Sequence, residues 1–116
     1  MRLDLIEEHK TQLTEEYGAK ANGVSTFYIT AQQFFYNGNY EYALYYIDKA
    51  LNIRENADIL ALKGSIYLGL GSNEGFIRNW RKALELDRNV PIPNSDLIIA
   101  ELQRQGLINE NLERNF

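Results

Sequence analysis

FFYNGNYEYALYYIDKAL (residues 34–51) and YLGLGSNEGFIRNWRKAL (residues 67–84) decide the fold, because they lie in one register at an offset of 33 residues. Gly38 answers Gly71, Phe34 answers Tyr67, Lys49 answers Lys82, and the pair Ala50-Leu51 answers Ala83-Leu84. Ile53 and Leu86 keep the same spacing. Apolar matches apolar, glycine matches glycine and Ala-Leu matches Ala-Leu. A period of this length marks a stack of supersecondary units, each unable to bury its apolar face alone.

Each copy reads as a helical hairpin. In the first, Phe27, Ala31, Phe34 and Phe35 recur at helical spacing. Asn37-Gly38-Asn39 then breaks the pattern with residues that accept a left-handed helix cap. Tyr40, Ala43, Leu44, Ile47, Ala50 and Leu51 form the stripe of a second helix. In the second copy Leu60, Gly64, Tyr67 and Leu68 make the first stripe, Gly71-Ser72-Asn73 the turn, and Phe76, Ile77, Trp80, Ala83 and Leu84 the second stripe. Gly69-Leu70-Gly71 has no phosphate-loop pattern and belongs to that turn.

The spacings resemble the tetratricopeptide repeat: Phe27-x2-Thr30-Ala31-x2-Phe34, Ala43-x3-Ile47 and Ala50 in one copy, Leu60-x2-Lys63-Gly64-x2-Tyr67, Phe76-x3-Trp80 and Ala83 in the other. The resemblance covers residues 24–90, about 67 of 116. Glu55 and Arg88 stand where the late proline is usual, and Thr30 and Lys63 replace the usual Leu. Phe76 occupies a position that is usually small, so the second hairpin is expected to be more open or otherwise repacked.

Working outward, Leu3, Ile6, Leu13 and Tyr17 share one stripe of an N-terminal helix over residues 1–22, ending near Ala21-Asn22-Gly23. Pro91 and Pro93 force an extended break after the second copy. Asn94 or Ser95 offers an N-cap, Asp96 a favourable first turn, and a helix runs to about Gln105 with Gly106 closing it. Leu107 to Phe116 have room for one more short helical turn or a frayed end. The expected architecture is all-α: a single domain of antiparallel hairpins, repeat 1 over 24–56 and repeat 2 over 57–90, stacked as a short right-handed solenoid. Capping helices over 1–22 and 94–116 supply the stacking surface that two repeats lack.

Composition narrows the function. A chain without cysteine has no disulfide framework, thiolate metal site or thiol nucleophile. The single histidine, His9, sits on a charged helix beside Glu7 and Glu8 and reads as a surface residue; neither those carboxylates nor Glu15-Glu16 converge as a catalytic pair. The reading is therefore not an enzyme, with no cofactor and no metal. A net charge of −4 argues against nucleic acid, and the grouping Arg78, Arg81, Lys82 with Glu85 reads as a solvated helix face. No leader and no bilayer-spanning stretch are read, so a cytoplasmic protein without a membrane partner is expected.

The richer signal is aromatic. Phe27, Tyr28, Phe34, Phe35, Tyr36, Tyr40, Tyr42, Tyr45 and Tyr46 crowd 20 residues. Phe27, Phe34 and Tyr40 are expected in the core, Tyr45 and Tyr46 in the stacking of the next hairpin, and Tyr42 at the surface. The resemblance implies a concave face lined by the first helix of each hairpin. On this sequence those positions are Ser25, Tyr28, Gln32, Phe35 and Tyr36, then Asp58, Ala61, Ser65, Leu68 and Gly69. The expected groove is an aromatic wall of Tyr28, Gln32, Phe35 and Tyr36 against Ser65 and Leu68, suited to an extended peptide or a partner helix. If the N-terminal helix lies over them, the wall residues are core instead. The carboxylate clamp of chaperone-binding members needs Lys, Asn and Arg where this chain has Tyr28 and Gln32, so that role is rejected. Two functions follow: an adaptor or small chaperone holding a protein or peptide partner, or a self-assembling structural repeat protein, a homodimer or larger.

Overall fold

The computed structural model describes residues 23–115. The expected N-terminal helix over 1–22, His9 and its neighbouring carboxylates, and Phe116 lie outside the described residues. Five α-helices follow in order: α1 (Gly23–Tyr36), α2 (Tyr40–Ile53), α3 (Ala57–Gly69), α4 (Asn73–Leu86) and α5 (Asp96–Arg104). The chain divides into two compact units between Arg54 and Glu55. α1 packs on α2 in the first unit, and α3 on α4 in the second.

The 33-residue register holds down to individual hydrogen bonds. Gly38 and Gly71 take positive φ, +79° and +85°. The Gly38 N–H donates to the Phe35 carbonyl (3.0 Å) and the Asn39 N–H to that of Phe34 (2.8 Å). In the second unit Gly71 donates to Leu68 (3.0 Å) and Ser72 to Tyr67 (2.8 Å). This paired cap satisfies carbonyls that the helix end would otherwise orphan, and it reverses the chain within three residues. A residue bearing Cβ would cost roughly 1–2 kcal/mol in that conformation. The second helices also end alike: extended Arg54 and Asp87 donate to the carbonyls of Ala50 and Ala83 at 3.0 and 2.9 Å. Side-chain N-caps open the later helices, Asn56 accepting from Ile59 N–H (2.8 Å) and Ser72 from Gly75 N–H (3.1 Å), each of the kind that contributes about 1 kcal/mol.

The first hairpin closes over small side chains and large rings. Ala31, Ala43 and Ala50 are fully buried with Ile47 and Tyr46. The Tyr46 ring lies parallel to Phe34, centroids 5.6 Å apart, with Phe27 at 6.3 Å and Tyr45 edge-on at 5.1 Å. Phe27, Phe34 and Tyr45, all of the same hairpin, are thus ring neighbours of Tyr46. Tyr42, expected at the surface, is half-buried with its ring 5.6 Å from Phe34. Tyr45 is exposed, beneath the Lys49 ammonium at 4.8 Å. Aromatic pairs of this kind contribute roughly 0.5–1.5 kcal/mol each beyond the area they bury.

The second hairpin repacks rather than opens. Where the first unit has Tyr42-Ala43, the second has Gly75-Phe76, so large and small exchange places along α4. Phe76 and Trp80 are fully buried. Tyr67 fills the space over Gly75: a Cβ there would meet Tyr67 Cγ at 2.5 Å and Cβ at 2.9 Å. Gly64, at the position of Ala31, likewise admits α4 closely, since a Cβ would meet Trp80 Cδ1 at 2.7 Å and the Phe76 carbonyl at 3.2 Å. Lys82 and Glu55 form a 2.7 Å ion pair, but both are about half exposed, which leaves it worth little.

Beyond α4 the Pro91–Pro93 segment is neither helix nor strand, and Ser95 caps α5, its hydroxyl accepting from Ile98 N–H at 3.4 Å. α5 ends at Arg104, and Gly106 (φ +74°) repeats the paired cap, Leu107 N–H donating to Leu102 at 2.9 Å. Glu101 is buried, with both carboxylate oxygens taken by Arg104 and one also by Gln105. The tail neither makes a further helical turn nor frays. It folds back on itself through an antiparallel bridge between Ile108 and Arg114, closed by the Asn109 side chain, which accepts from the N–H groups of Asn111 and Glu113. Leu107 and Ile108 are buried by this hook, and Arg114 donates to the Val90 carbonyl at 2.9 Å.

Gly75→Ala tests the exchange of large and small. Helix propensity alone favours alanine by about 1 kcal/mol, whereas overpacking against Tyr67 costs roughly 1–3 kcal/mol. Urea unfolding is expected to show a net loss of about 1–2 kcal/mol; a gain in stability would mean that Tyr67 swings away without penalty.

Candidate functional site

Unit 1 holds two sets of rings. The inner set cements the hairpin. The outer set sits at its tip, around the turn at Gly38. There the half-buried Phe35 lies between Tyr36, centroids 5.5 Å apart and planes at 57°, and Tyr40, at 5.9 Å and 58°. Tyr36 is 69% exposed. The tilts make the surface ridged instead of flat.

Helical spacing places Tyr28, Gln32, Phe35 and Tyr36 on one face of α1. Tyr28, Gln32 and Phe35 are half-buried there. Tyr40 joins the set from across the turn, where the sequence reading placed it in the core. The cap explains this: a chain reversed at Gly38 brings the residue two positions after it back over the residue three positions before it. That proximity was legible in the glycine position, but helical periodicity alone does not reveal it.

The positions read from the second copy have other surroundings. Ser65 is 2% exposed, its hydroxyl donating to the Ala61 carbonyl (2.9 Å) and accepting from the Trp80 indole N–H (3.1 Å). Both hydrogen-bonding roles of that oxygen serve the interior of the α3·α4 hairpin, so it is an internal tie. Leu68 is half-buried, Ala61 buried, and Asp58 and Gly69 exposed.

Charge separates two surfaces. No residue between Lys20 and Glu41 carries a charged side chain, so all of α1 and its turn are neutral. By contrast, an open concavity of about 600 Å³ along α4 is lined by Ile77 and by charges of both signs: Glu74, Arg78, Arg81, Lys82 and Glu85. Carboxylates at both ends of this row, and the Lys82–Glu55 pair, leave it mixed in sign, as a solvated face would be. Among the described residues no group of three His, Asp or Glu side chains is placed to hold a metal ion, and no helix is long and apolar enough to cross a membrane.

The Ser65–Trp80 tie has a direct readout, because Trp80 is the only tryptophan. Ser65→Ala leaves a buried indole N–H without its acceptor, a loss of roughly 1–3 kcal/mol. Denaturation followed by Trp80 fluorescence is expected to show that loss with the folded-state emission still blue-shifted. Unchanged stability would mean that the indole finds another acceptor.

Comparison of the chain with protein-family models, with curated proteins and with solved structures gave no match.

Proposed function

We propose that the chain is a protein-interaction module of tetratricopeptide-like build that binds a peptide or partner segment on the aromatic face of α1. The tetratricopeptide reading is supported by the two hairpins, by their matching caps, and by small residues at Ala31 and Gly64 where the paired helices approach. The observation that carries the binding reading is Tyr36, 69% exposed yet held against Phe35. A tyrosine ring at a surface offers large contact area with only two side-chain torsions to freeze on binding. Tyr40 extends the surface across the turn and Gln32 adds an amide one helical turn earlier. Ser65, engaged inside its hairpin, is left out of the binding surface.

A second reading, self-association without a separate ligand, is favoured by exposed apolar side chains elsewhere: Ile53 and Leu86, each 53% exposed at equivalent positions, and Leu97 at 65%. Sizing by light scattering across a dilution series separates the two. A monomer at every concentration removes self-association, and a concentration-dependent dimer supports it.

Peptide selection against the full chain, repeated with Tyr36→Ala, tests the binding reading. The selected peptides are expected to bind the variant at least about tenfold more weakly, or about 1.4 kcal/mol, while far-ultraviolet circular dichroism stays unchanged. Equal binding to both proteins would place the site elsewhere.

A further inference from the structure

We propose that the Asn37-Gly38 peptide is a site of spontaneous deamidation, restrained by the cap of α1, whose products unlatch the first hairpin. The residue pair supplies the chemistry and the cap supplies the gate.

Among the described residues three helix ends carry a left-handed glycine: Gly38, Gly71 and Gly106. The residue before each differs, being Asn37, Leu70 and Gln105. Leu70 shows that the cap itself asks for no amide there. Asparagine before glycine is reactive, because no Cβ shields the glycine nitrogen or restricts its rotation. That nitrogen attacks Asn37 Cγ, the Cγ–Nδ2 bond breaks, and the amide leaves as ammonia, taking up the proton that Gly38 N gives up. Water, the only co-reactant, then opens the succinimide ring at either carbonyl. One product is an aspartyl residue at position 37. The other is an isoaspartyl residue, with the main chain running through its β-carbon. Gln105 has one more methylene, so its ring would be larger, and its amide already donates to Glu101 Oε2 at 2.8 Å.

The surroundings leave the reaction room. Asn37 and Gly38 are exposed, and a Cβ on Gly38 would meet nothing within 4 Å. Water reaches the ring and ammonia escapes. The Asn37 amide makes no side-chain hydrogen bond among the described residues. Backbone hydrogen bonds restrain it instead. Asn37 N–H donates to the Gln33 carbonyl (3.1 Å), Gly38 to Phe35 (3.0 Å) and Asn39 to Phe34 (2.8 Å). Closing the ring turns the Gly38 nitrogen toward Asn37 Cγ and removes its proton, and both withdraw it from the Phe35 carbonyl. The reaction therefore runs through local openings of an exposed turn, which cost far less than global unfolding.

The two products act differently. The aspartyl form keeps the chain length and puts a negative charge at the carboxyl end of α1, the end its dipole already makes negative. The isoaspartyl form adds a main-chain atom between the α1 carbonyls and the N–H groups that cap them. The paired cap then no longer closes, and the Phe35–Tyr40 pair, 5.9 Å apart across the turn, loses its tether.

The test incubates the full chain in mildly alkaline buffer, folded and in urea, with peptide mapping by tandem mass spectrometry. Fragmentation separates Asn37 from Asn22, the other asparagine that precedes glycine. In the folded chain Asn37 is expected to convert to both products while Gln105 stays intact. In urea the conversion is expected to be at least about tenfold faster. Asn39→Pro removes one cap donor and leaves the reacting pair unchanged. Relative to its own rate in urea, the folded variant is expected to convert about threefold or more faster than the wild type. The folded-to-unfolded ratio of the wild type decides the gate without it. The isoaspartyl fraction, isolated by chromatography, is expected to unfold at lower urea than the Asn37→Asp variant. If Asn37 is intact in the folded chain once the unfolded chain has fully converted, the proposal is overturned. Equal rates folded and unfolded overturn the gate. Equal stability of the isoaspartyl fraction and Asn37→Asp overturns the unlatching.

Discussion

A left-handed glycine at the end of a helix, with the two hydrogen bonds that surround it, is the constraint on which both hairpins depend. Gly38 and Gly71 let the chain reverse in three residues while carbonyls of the preceding helix stay bonded. A turn this short leaves the next helix no choice of neighbour, so α2 packs on α1 and α4 on α3. It also fixes register. Once the reversal point is set, Phe34 must meet the Tyr42 and Tyr46 turns of α2, and Tyr67 must meet Gly75. Gly106 uses the same device for a different end, sending the chain into a hook instead of a helix.

Within that frame, the two hairpins solve the same packing problem with opposite assignments. Interiors are close-packed, so a ring added at one position needs space removed at another. The first hairpin spends its volume at Tyr42 and Tyr46 and stays small at Ala43. The second is small at Gly64 and Gly75 and large at Phe76 and Trp80. The Trp80 indole brings a polar N–H into this interior. Ser65 satisfies it, and the Ser65 hydroxyl is in turn satisfied by Ala61. A residue expected to face a ligand thus answers a demand raised by one indole.

The aromatic surplus of the first hairpin has a consequence at the surface. Phe27, Phe34, Tyr42 and Tyr46 are enough to fill the interior, so Phe35, Tyr36 and Tyr40 gather at the tip. They form a tilted aromatic patch at the end of the uncharged stretch that Glu41 closes.

The sequence by itself determined the helices, their turns and their pairing, because those follow from local rules: apolar spacing, glycines at cap positions, and serine or asparagine before a helix. The 33-residue register also revealed that Phe76 could not be packed as Ala43 is. It could not tell which way the hairpin would adjust, since that depends on Tyr67 and Gly75 meeting across two helices. Tertiary structure alone decided that Ser65 is interior, for its burial depends on an indole 15 residues away. It likewise decided that Tyr40 stands beside Phe35 at the tip, and that residues after Gly106 close on Val90 through Arg114. Each of these depends on where a distant side chain comes to lie, which local periodicity does not encode.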